Sequence, residues 1–188
     1  FIPETIGSIC YIKKNYKNLK NNMVMGFNVT CVGDERNISL LPSKYFNSPG
    51  DKIILGVISK YKNKKIYSWN DRGSDERQYC SPNIDLPISS LMRTKYGKYR
   101  EYHTSEDKIG NVVTQKGLSD SLKLYKKILN KIEKTKYPIS EKNCEPFLTK
   151  YNLHDTLSGK ENPDKFSKEI LNFLTWCDGK NSVEDIGI

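Results

Sequence analysis

Two polar segments separated by an apolar one are the part of this sequence best suited to chemistry. Residues 71–78 are rich in carboxylates and guanidiniums, and residues 102–107 contain His103, one of only two histidines. Residues 86–92, between them, are typical of a buried strand. Because α/β folds keep their reactive side chains in loops at strand ends, we expect both segments at the edge of a sheet. We expect the first segment to be solvated rather than part of the core.

The charged side chains of the first segment allow two interpretations. Arg72 and Arg77 flank Asp75 and Glu76, and such neighbours commonly form an ion-pair network. Alternatively, the guanidinium groups clamp a substrate carboxylate or phosphate, because their planar fork matches both groups. Tyr102 is a candidate to line a substrate pocket, or else a surface tyrosine without a special role.

Two acidic residues elsewhere are candidates for the same site. Glu4 precedes a helical pattern over residues 5–18, where a carboxylate either complements the helix dipole or stands at the mouth of a site. Asp34 follows the apolar run 23–32, which we interpret as a strand covered on both faces. Carboxylates and a neutral imidazole from different loops suit Zn²⁺, which prefers such ligands.

Composition indicates a globular protein without a membrane span. Hydrophobic residues make up 36% and charged residues 28% of the 188, and no apolar run approaches the roughly 18 residues that cross a bilayer. The net charge of +9 is spread among asparagines along the chain. That distribution favours a solvated lysine-rich surface over a nucleic-acid or membrane partner.

The cysteine pattern favours a reducing compartment, and the first residues favour a fragment of a longer protein. Five cysteines at irregular spacings, without a Cys-x-x-Cys pair, argue against a disulfide framework and a thiolate zinc site. We expect most of them to be buried. The chain begins with neither Met nor a signal-peptide pattern. We therefore expect a cytoplasmic protein and a fragment of a longer one.

Helix and strand patterns alternate along the first 136 residues, which predicts an α/β fold with a mixed sheet between helices. The patterns after the first strand are, in order, a strand at 38–41, a helix at 49–58, strands at 65–69 and 86–92, and a helix at 114–134. We therefore predict one α/β domain over residues 1–136.

The sequence changes character after this domain. Residues 137–163 have little periodicity and are predicted to be a linker. A helix is predicted from residue 164 to 177, and residues 182–186 are typical of a capped helix start. We therefore predict residues 164–188 as the first helices of another domain. The second histidine, His154, has no motif around it and is predicted to be a surface residue.

Four segments in combination resemble a known family. They are residues 1–9 (FIPETIGSI), 30–34 (TCVGD), 71–82 and 102–104 (YHT). This order resembles the second half of the zinc aminopeptidase-like exopeptidases, whose clan includes the glutaminyl cyclases. It is most similar to bacterial proteins with an aminopeptidase-like domain followed by a winged helix, some of them labelled polysaccharide-biosynthesis proteins. The similarity covers nearly the whole chain.

The resemblance implies a cytoplasmic hydrolase that uses one or two zinc ions to cleave an amide bond in a peptide or another small substrate. His103, in the Tyr-His-Thr motif, would be a zinc ligand, and Glu4 would be the general base or a ligand. Asp34 would serve as a ligand in place of the family's aspartate, which falls on Thr30. The Ser74-Asp75 loop would shape the pocket. Residues 164–188 would begin the winged helix.

The sequence also departs from the family. A single Glu4, preceded by Pro3, replaces two adjacent glutamates, so that one residue has two roles or one role is lost. The family's first histidine and bridging aspartate would lie upstream of residue 1, and the chain alone is expected to be inactive. These departures leave an alternative open: a non-catalytic binding or regulatory protein, linked to nucleic acid through the winged helix or to polysaccharide biosynthesis. A homo-oligomer is also among the expected states.

Overall fold

The computed structural model describes residues 2–153 and 163–187. The chain divides into two compact units, Phe1–Ile132 and Glu133–Ile188, a few residues before the predicted boundary at residue 136. In the described ranges, no helix has the length and apolarity needed to cross a membrane.

The first unit is built on a four-stranded mixed sheet, as predicted. Its strands are β1 (Gly26–Asn28), β2 (Ile38–Leu41), β3 (Lys64–Ile66) and β4 (Ile88–Met92). They lie in the order β1-β4-β2-β3. β1 runs parallel to β4 and β2 parallel to β3, whereas β2 and β4 are antiparallel. β4 is therefore a central strand.

The helices follow the predicted pattern closely. The described helices are α1 (Ile6–Asn22), α2 (Pro49–Ile58), α3 (Glu76–Tyr79), α4 (Gln115–Lys134), α5 (Pro163–Thr175) and α6 (Val183–Ile186). Two short 3-10 helices occur at Trp69–Asp71 and Leu148–Tyr151. The predictions of α1, α2, α4 and α5 as helices from apolar spacing are confirmed. Ile54 of α2 and Ile128 of α4 are buried, whereas Ile6 and Ile9 of α1 are exposed.

Alternation along β4 explains why helices cover both faces of the sheet. Leu91 joins a core cluster with Ile54 of α2 and Ile128 of α4. Ile88, on the other face, packs with Cys80 and with Leu19 of α1. Because successive strand residues point to opposite faces, a strand buried throughout needs apolar partners on both sides. The predicted arrangement of a sheet between helices is confirmed.

The prediction for the first strand was wrong in its length and burial. The apolar run 23–32 forms only the three-residue β1, which is half-buried and lies at the edge of the described sheet. Val24 and Val29, outside it, are exposed. The chain then turns at Cys31, which has a left-handed backbone with φ 48°. A continuous apolar run does not reveal where pairing stops, and here it stops early.

The expectation that most cysteines are buried was also wrong. Cys80 and Cys177 are buried, Cys31 is half-buried, and Cys10 and Cys144 are exposed. All five are free thiols.

In the second unit, α5 and α6 are joined by a short turn. An isolated antiparallel bridge pairs Ile139 with Asp178. The predicted capped helix start is confirmed: Ser182 and Asp185 form a capping box at α6. The described part of the predicted linker, up to residue 153, is irregular apart from its 3-10 helix. His154 lies outside the described residues, and the winged helix stays a prediction.

Candidate functional site

The carboxyl ends of β1 and β4 meet at one edge of the sheet because the two strands are parallel. The chain leaving β1 brings Cys31 to this edge, and the chain leaving β4 brings Tyr96 and Tyr102. Cys31 and Tyr102 pack against a cluster that includes Tyr96. The two predicted polar segments therefore lie beside the same aromatic cluster. In the sequence, the order of the predicted strands was the only indication that these segments would be close together.

Three residues of the 71–78 segment hold the chain just before α1. The Ser74 hydroxyl donates to Oε1 of Glu4 at 3.1 Å, and the backbone N–H of Thr5 donates to Oδ1 of Asp75 at 2.7 Å. Nη2 of Arg77 donates to the Thr5 hydroxyl at 3.1 Å. We call Ser74, Asp75 and Arg77 the Thr5 clamp. Asp75 and Arg77, predicted to bind substrate, thus each use a polar atom to hold Thr5, the residue next to Glu4.

Arg72 takes no part in this clamp. Its guanidinium lies 5.4 Å from the centre of the Trp69 ring, and Nη1 donates to the Trp69 carbonyl. In the described part of the chain, neither Arg72 nor Arg77 is ion-paired with a carboxylate, so the ion-pair network considered above is not formed. A substrate role for Arg72, Arg77 and Asp75 stays a prediction.

Glu76 lies beneath the clamp and is fully buried, with 0% of its surface exposed. Its carboxylate accepts five hydrogen bonds, from Gly73 N–H (2.8 Å), Ser74 N–H (2.9 Å), the Tyr96 hydroxyl (2.8 Å), Asn28 Nδ2 (2.7 Å) and the Ser90 hydroxyl (3.0 Å). The expectation that residues 71–78 stay out of the core was therefore wrong for Glu76. Composition suggested a solvated run, but five donors from three parts of the chain replace the water that burial removes.

These donors keep the carboxylate of Glu76 charged. Burial by itself would raise the pKa, but the N–H groups of Ser74 and Gly73 and the Tyr96 hydroxyl outweigh it, and the pKa of Glu76 is lowered. The pKa of Tyr96 is raised by burial and by its hydrogen bond to the anion. The signal that could have revealed Glu76 is the presence of Asn28 and Ser90 in otherwise apolar strands, because polar side chains that face a core need a partner there.

His103 packs on Tyr102, a member of the aromatic cluster at this edge. The His103 ring stacks on the Tyr102 ring, with centroids 3.9 Å apart and planes 18° apart. Burial raises the pKa of Tyr102, with smaller contributions from Cys31, Glu4 and Asp107. Glu4 is connected to the same cluster through Ser74, because the Ser74 N–H and the hydroxyl of Tyr96, which packs with Tyr102, bind the same Glu76 carboxylate. His103 is exposed, and neither of its ring nitrogens has a hydrogen-bond partner among the described residues.

Asp34 is held differently. It is buried, with Oδ1 accepting from the Arg36 N–H (2.8 Å) and the Thr94 hydroxyl (2.8 Å), and Oδ2 accepting from the Thr94 N–H (2.7 Å). Its carbonyl accepts from Nε of Arg93 at 2.7 Å. These bonds tie the chain after β1 to the chain after β4, and they account for a buried carboxylate without a metal ion.

The zinc prediction can be compared with these donors. In residues 2–153 and 163–187, no group of three His, Cys, Asp or Glu side chains could hold a metal ion. Glu4 and His103 have the donor types that zinc takes, but both oxygens of Asp34 are occupied. Two donors are fewer than the three or four protein ligands of a zinc site. The described residues therefore do not form a zinc centre by themselves, and ligation by Glu4, Asp34 and His103 stays a prediction.

Left-handed backbone occurs at three non-glycine residues of this edge: Thr5 (φ 64°), Cys31 (φ 48°) and His103 (φ 60°). Each such conformation costs on the order of 1–3 kcal/mol and persists only where the surroundings impose it. The Thr5 clamp supplies such a constraint for one of them. Four further non-glycine residues with positive φ lie elsewhere in the described chain, at Phe46, Asn83, Asp85 and Asn152, so backbone strain does not by itself mark this edge as functional.

Comparison with known proteins identifies the family and the scaffold of the chain. Residues 1–135 match the family described as "Domain of unknown function (DUF4910)". The chain is 38% identical over 191 residues to the "Putative polysaccharide biosynthesis protein with aminopeptidase-like domain" of Clostridium acetobutylicum. That alignment takes in 99% of this chain but 43% of the relative, so the chain spans less than half of that protein's length.

Two solved structures are similar in fold. The crystal structure of a "putative peptidase" from Clostridium acetobutylicum has a TM-score of 0.69 and 36% identity, over 98% of this chain and 40% of that one. The aminopeptidase from Aneurinibacillus sp. strain AM-1 has a TM-score of 0.55 and 13% identity, over 67% of this chain and 30% of that one, which indicates the fold alone. The predicted likeness to aminopeptidase-like proteins is thus confirmed, and the chain, with its peptidase-like scaffold, belongs to the DUF4910 family.

Proposed function

We propose that the full-length gene product is a zinc-dependent hydrolase that cleaves an amide or peptide bond, and that this chain contributes Glu4 and His103 to its active site. One observation carries the proposal: a series of contacts connects two side chains of suitable type, from loops about 100 residues apart in sequence. Glu4 accepts from Ser74, and Ser74 N–H and the Tyr96 hydroxyl bind the same Glu76 carboxylate. Tyr96 packs in one cluster with Tyr102, on which His103 stacks. The other ligands would come from residues outside the described ranges.

The two side chains are suited to different tasks. When bound, zinc would supply a water whose pKa is lowered to about 7. Glu4 is exposed, and its Oε2 has no donor among the described residues, so that oxygen is available to accept a proton or to bind a ligand. The hydrogen bond from Ser74 restricts the carboxylate, which a general base requires. The exposed imidazole of His103 is fixed in orientation by its stacking on Tyr102.

The test is metal content and activity of the full-length gene product. Zinc per protein and hydrolysis of an amino-acid p-nitroanilide would be measured for the wild type and for His103→Ala. The matched control is His154→Ala, which removes the other histidine of the chain. We expect His103→Ala to lose zinc and activity, and His154→Ala to retain both. Unchanged zinc stoichiometry in His103→Ala would overturn the assignment.

A second variant separates the two roles of Glu4. Glu4→Gln removes the basic oxygen but keeps the size of the side chain. If Glu4 is the general base, this variant keeps its zinc and loses most of its activity, by about 10²-fold or more. If Glu4 is a ligand, zinc is lost as well. Full activity in Glu4→Gln would exclude both roles.

A non-catalytic binding protein on the same scaffold is the second candidate. It is favoured by the hydrogen bonds that occupy both oxygens of Asp34, and by the absence of a three-ligand group in the described parts of the chain. In this case the full-length protein would bind no zinc. Salt-dependent binding of duplex DNA by the zinc-free protein would support nucleic-acid binding through a winged helix. A part in polysaccharide biosynthesis would rest on the relative's name alone. Cytoplasmic location and homo-oligomerisation stay predictions.

A further inference from the structure

A cavity opens on the face of the sheet opposite to the one that Tyr102 packs against. It has a volume of about 430 Å³, which falls within the range of small-molecule sites, roughly 300–1,000 Å³. Its wall includes Ile38 and Leu124, which belong to the core cluster between the sheet and α2 and α4. Tyr102 packs with the cluster on the opposite face. The cavity is therefore separate from the candidate active site and independent of the proposed function.

Arg93 is the unusual residue of this cavity. It follows β4 directly and is 7% exposed, and its Nε donates to the Asp34 carbonyl at 2.7 Å. The two Nη nitrogens have no hydrogen-bond acceptor among the described residues, although the side chain lines the cavity. These nitrogens are not among the buried side-chain atoms that lack a partner, so they are accessible to solvent at the cavity. Water or a ligand in the cavity can accept from them.

The other charged groups leave the cavity positive. Three lysines and two carboxylates line it together with Arg93; they are Lys116, Lys123, Lys127, Glu35 and Asp120. Four cations against two anions give a net charge of +2. Lys116 is bound to both carboxylates, at 3.2 Å from Glu35 and 2.9 Å from Asp120. Lys123 is also paired with Asp120, at 3.8 Å. The positive charge available to a ligand therefore comes from Arg93 and Lys127.

The rest of the wall can contact an organic group. Lys127 Nζ lies 5.7 Å from the centre of the Tyr61 ring, so the cation and the ring are close together. Asn63 donates through Nδ2 to the Arg36 carbonyl, which leaves its side-chain oxygen available as an acceptor. An aromatic ring and an amide oxygen beside an anion-binding fork suit a polar organic molecule such as a sugar.

We propose that this cavity binds the phosphate group of a small phosphorylated molecule. A phosphate monoester carries about −1.5 to −2 charges at neutral pH, which matches the net charge of the lining. Its oxygens can accept two parallel bonds from the Arg93 fork, which a lysine cannot provide. The Tyr61 ring and the Asn63 amide would contact the group esterified to the phosphate.

Calorimetric titration of the full chain at low ionic strength tests the proposal, with glucose 1-phosphate, inorganic phosphate and uncharged glucose as probes. We expect both phosphates to bind and glucose not to bind. Tighter binding of glucose 1-phosphate would indicate that the organic group is recognised, and equal affinity would limit recognition to phosphate. If neither phosphate produces heat at concentrations up to about 10 mM, the affinity is too weak for a built site and the proposal is overturned.

Three variants locate the binding. Arg93→Lys keeps the charge but removes the fork, and we expect affinity to fall about tenfold, with a smaller loss in Lys127→Ala. Lys126→Ala, at an exposed position of α4 outside the cavity, changes the net charge equally and is the matched control. Thermal melting checks that Arg93→Lys is folded, and Lys127→Ala keeps the test valid if it is not. Equal losses in Lys126→Ala and Lys127→Ala would mean that only overall charge attracts the anion, and would refute the site.

Discussion

Replacement of Glu76 by Gln is the sharpest test of how the scaffold supports Glu4. The change keeps the shape of the side chain and removes its charge. Three donors converge on Oε1 and two on Oε2. The new NH₂ group of Gln therefore faces fewer existing donors if it takes the position of Oε2. There Asn28 can turn its own amide and Ser90 can rotate its hydroxyl to accept. The variant can therefore fold, but with five neutral hydrogen bonds in place of five charge-assisted ones.

The expected cost follows from that exchange. A hydrogen bond to a charged group contributes about 1.5–3 kcal/mol, against about 0.5–1.5 kcal/mol for a neutral one, so each bond weakens by about 1 kcal/mol. Relief from burying a charge offsets part of the five-bond total. We expect Glu76→Gln to lower the free energy of unfolding by about 3 kcal/mol at pH 7.

The loss should depend on pH in a defined direction. The pKa of Glu76 is lowered in the folded chain, because its donors outweigh the effect of burial. Its contribution to stability is therefore complete above the unfolded-state pKa of about 4.3 and disappears as pH falls through the lower folded-state value. The difference between the wild type and Glu76→Gln should be constant from pH 7 to about 5 and shrink in more acidic solution.

Urea unfolding at several pH values, followed by circular dichroism, measures both effects. Glu106→Gln is the matched control, because Glu106 is an exposed glutamate that pairs with Lys108 at the surface. We expect the control to unfold near the wild-type midpoint at neutral pH. A Glu76→Gln midpoint equal to that of the control, or a difference that does not shrink in acid, would refute the inference that a charged, buried Glu76 organises this edge.

Two other predictions concern buried groups. Asp51 is fully buried and accepts hydrogen bonds from Ser43, Ser48 and Ser89, so Asp51→Asn should cost about 3 kcal/mol in the same urea assay, and a wild-type midpoint would contradict this. Burial raises the pKa of the Cys80 thiol to about 11. Alkylation of the native chain at pH 8, read by mass spectrometry, should therefore spare Cys80 while it modifies exposed cysteines, and early modification of Cys80 would show that its surroundings open.

Periodicity was sufficient for most of the fold. The apolar spacing of α4 predicted a helix over nearly its observed bounds, because a helix packed on a sheet must present one apolar face. The run 23–32 failed as a predictor because its continuous apolar character carries no information on where strand pairing ends. β1 has only one described neighbour, β4, and the pairing covers three residues.

The site was less predictable, because its key contacts join residues far apart in the sequence. Asp34 appeared to be a free carboxylate at a strand end, but its partner Thr94 is 60 residues away. Glu76 lies in a charged run that composition assigns to the surface, and only its distant partners explain its burial. Glu4, in contrast, stays a prediction from its motif, and the structure adds the Ser74 hydroxyl that donates to its carboxylate.

The two serines in the centre of β4 connect the fold to the candidate site. Ser89 donates to Asp51 at 2.6 Å on one face of the sheet, and Ser90 donates to Glu76 at 3.0 Å on the other. Each carboxylate in turn accepts backbone N–H groups, from Ser43 near α2 and from Gly73 before the clamp. A single strand therefore fixes both layers through buried carboxyl groups, which require satisfied hydrogen bonds to be stable in the core. The position of Glu4 consequently depends on the central strand of the sheet as well as on the surface loop that contacts it.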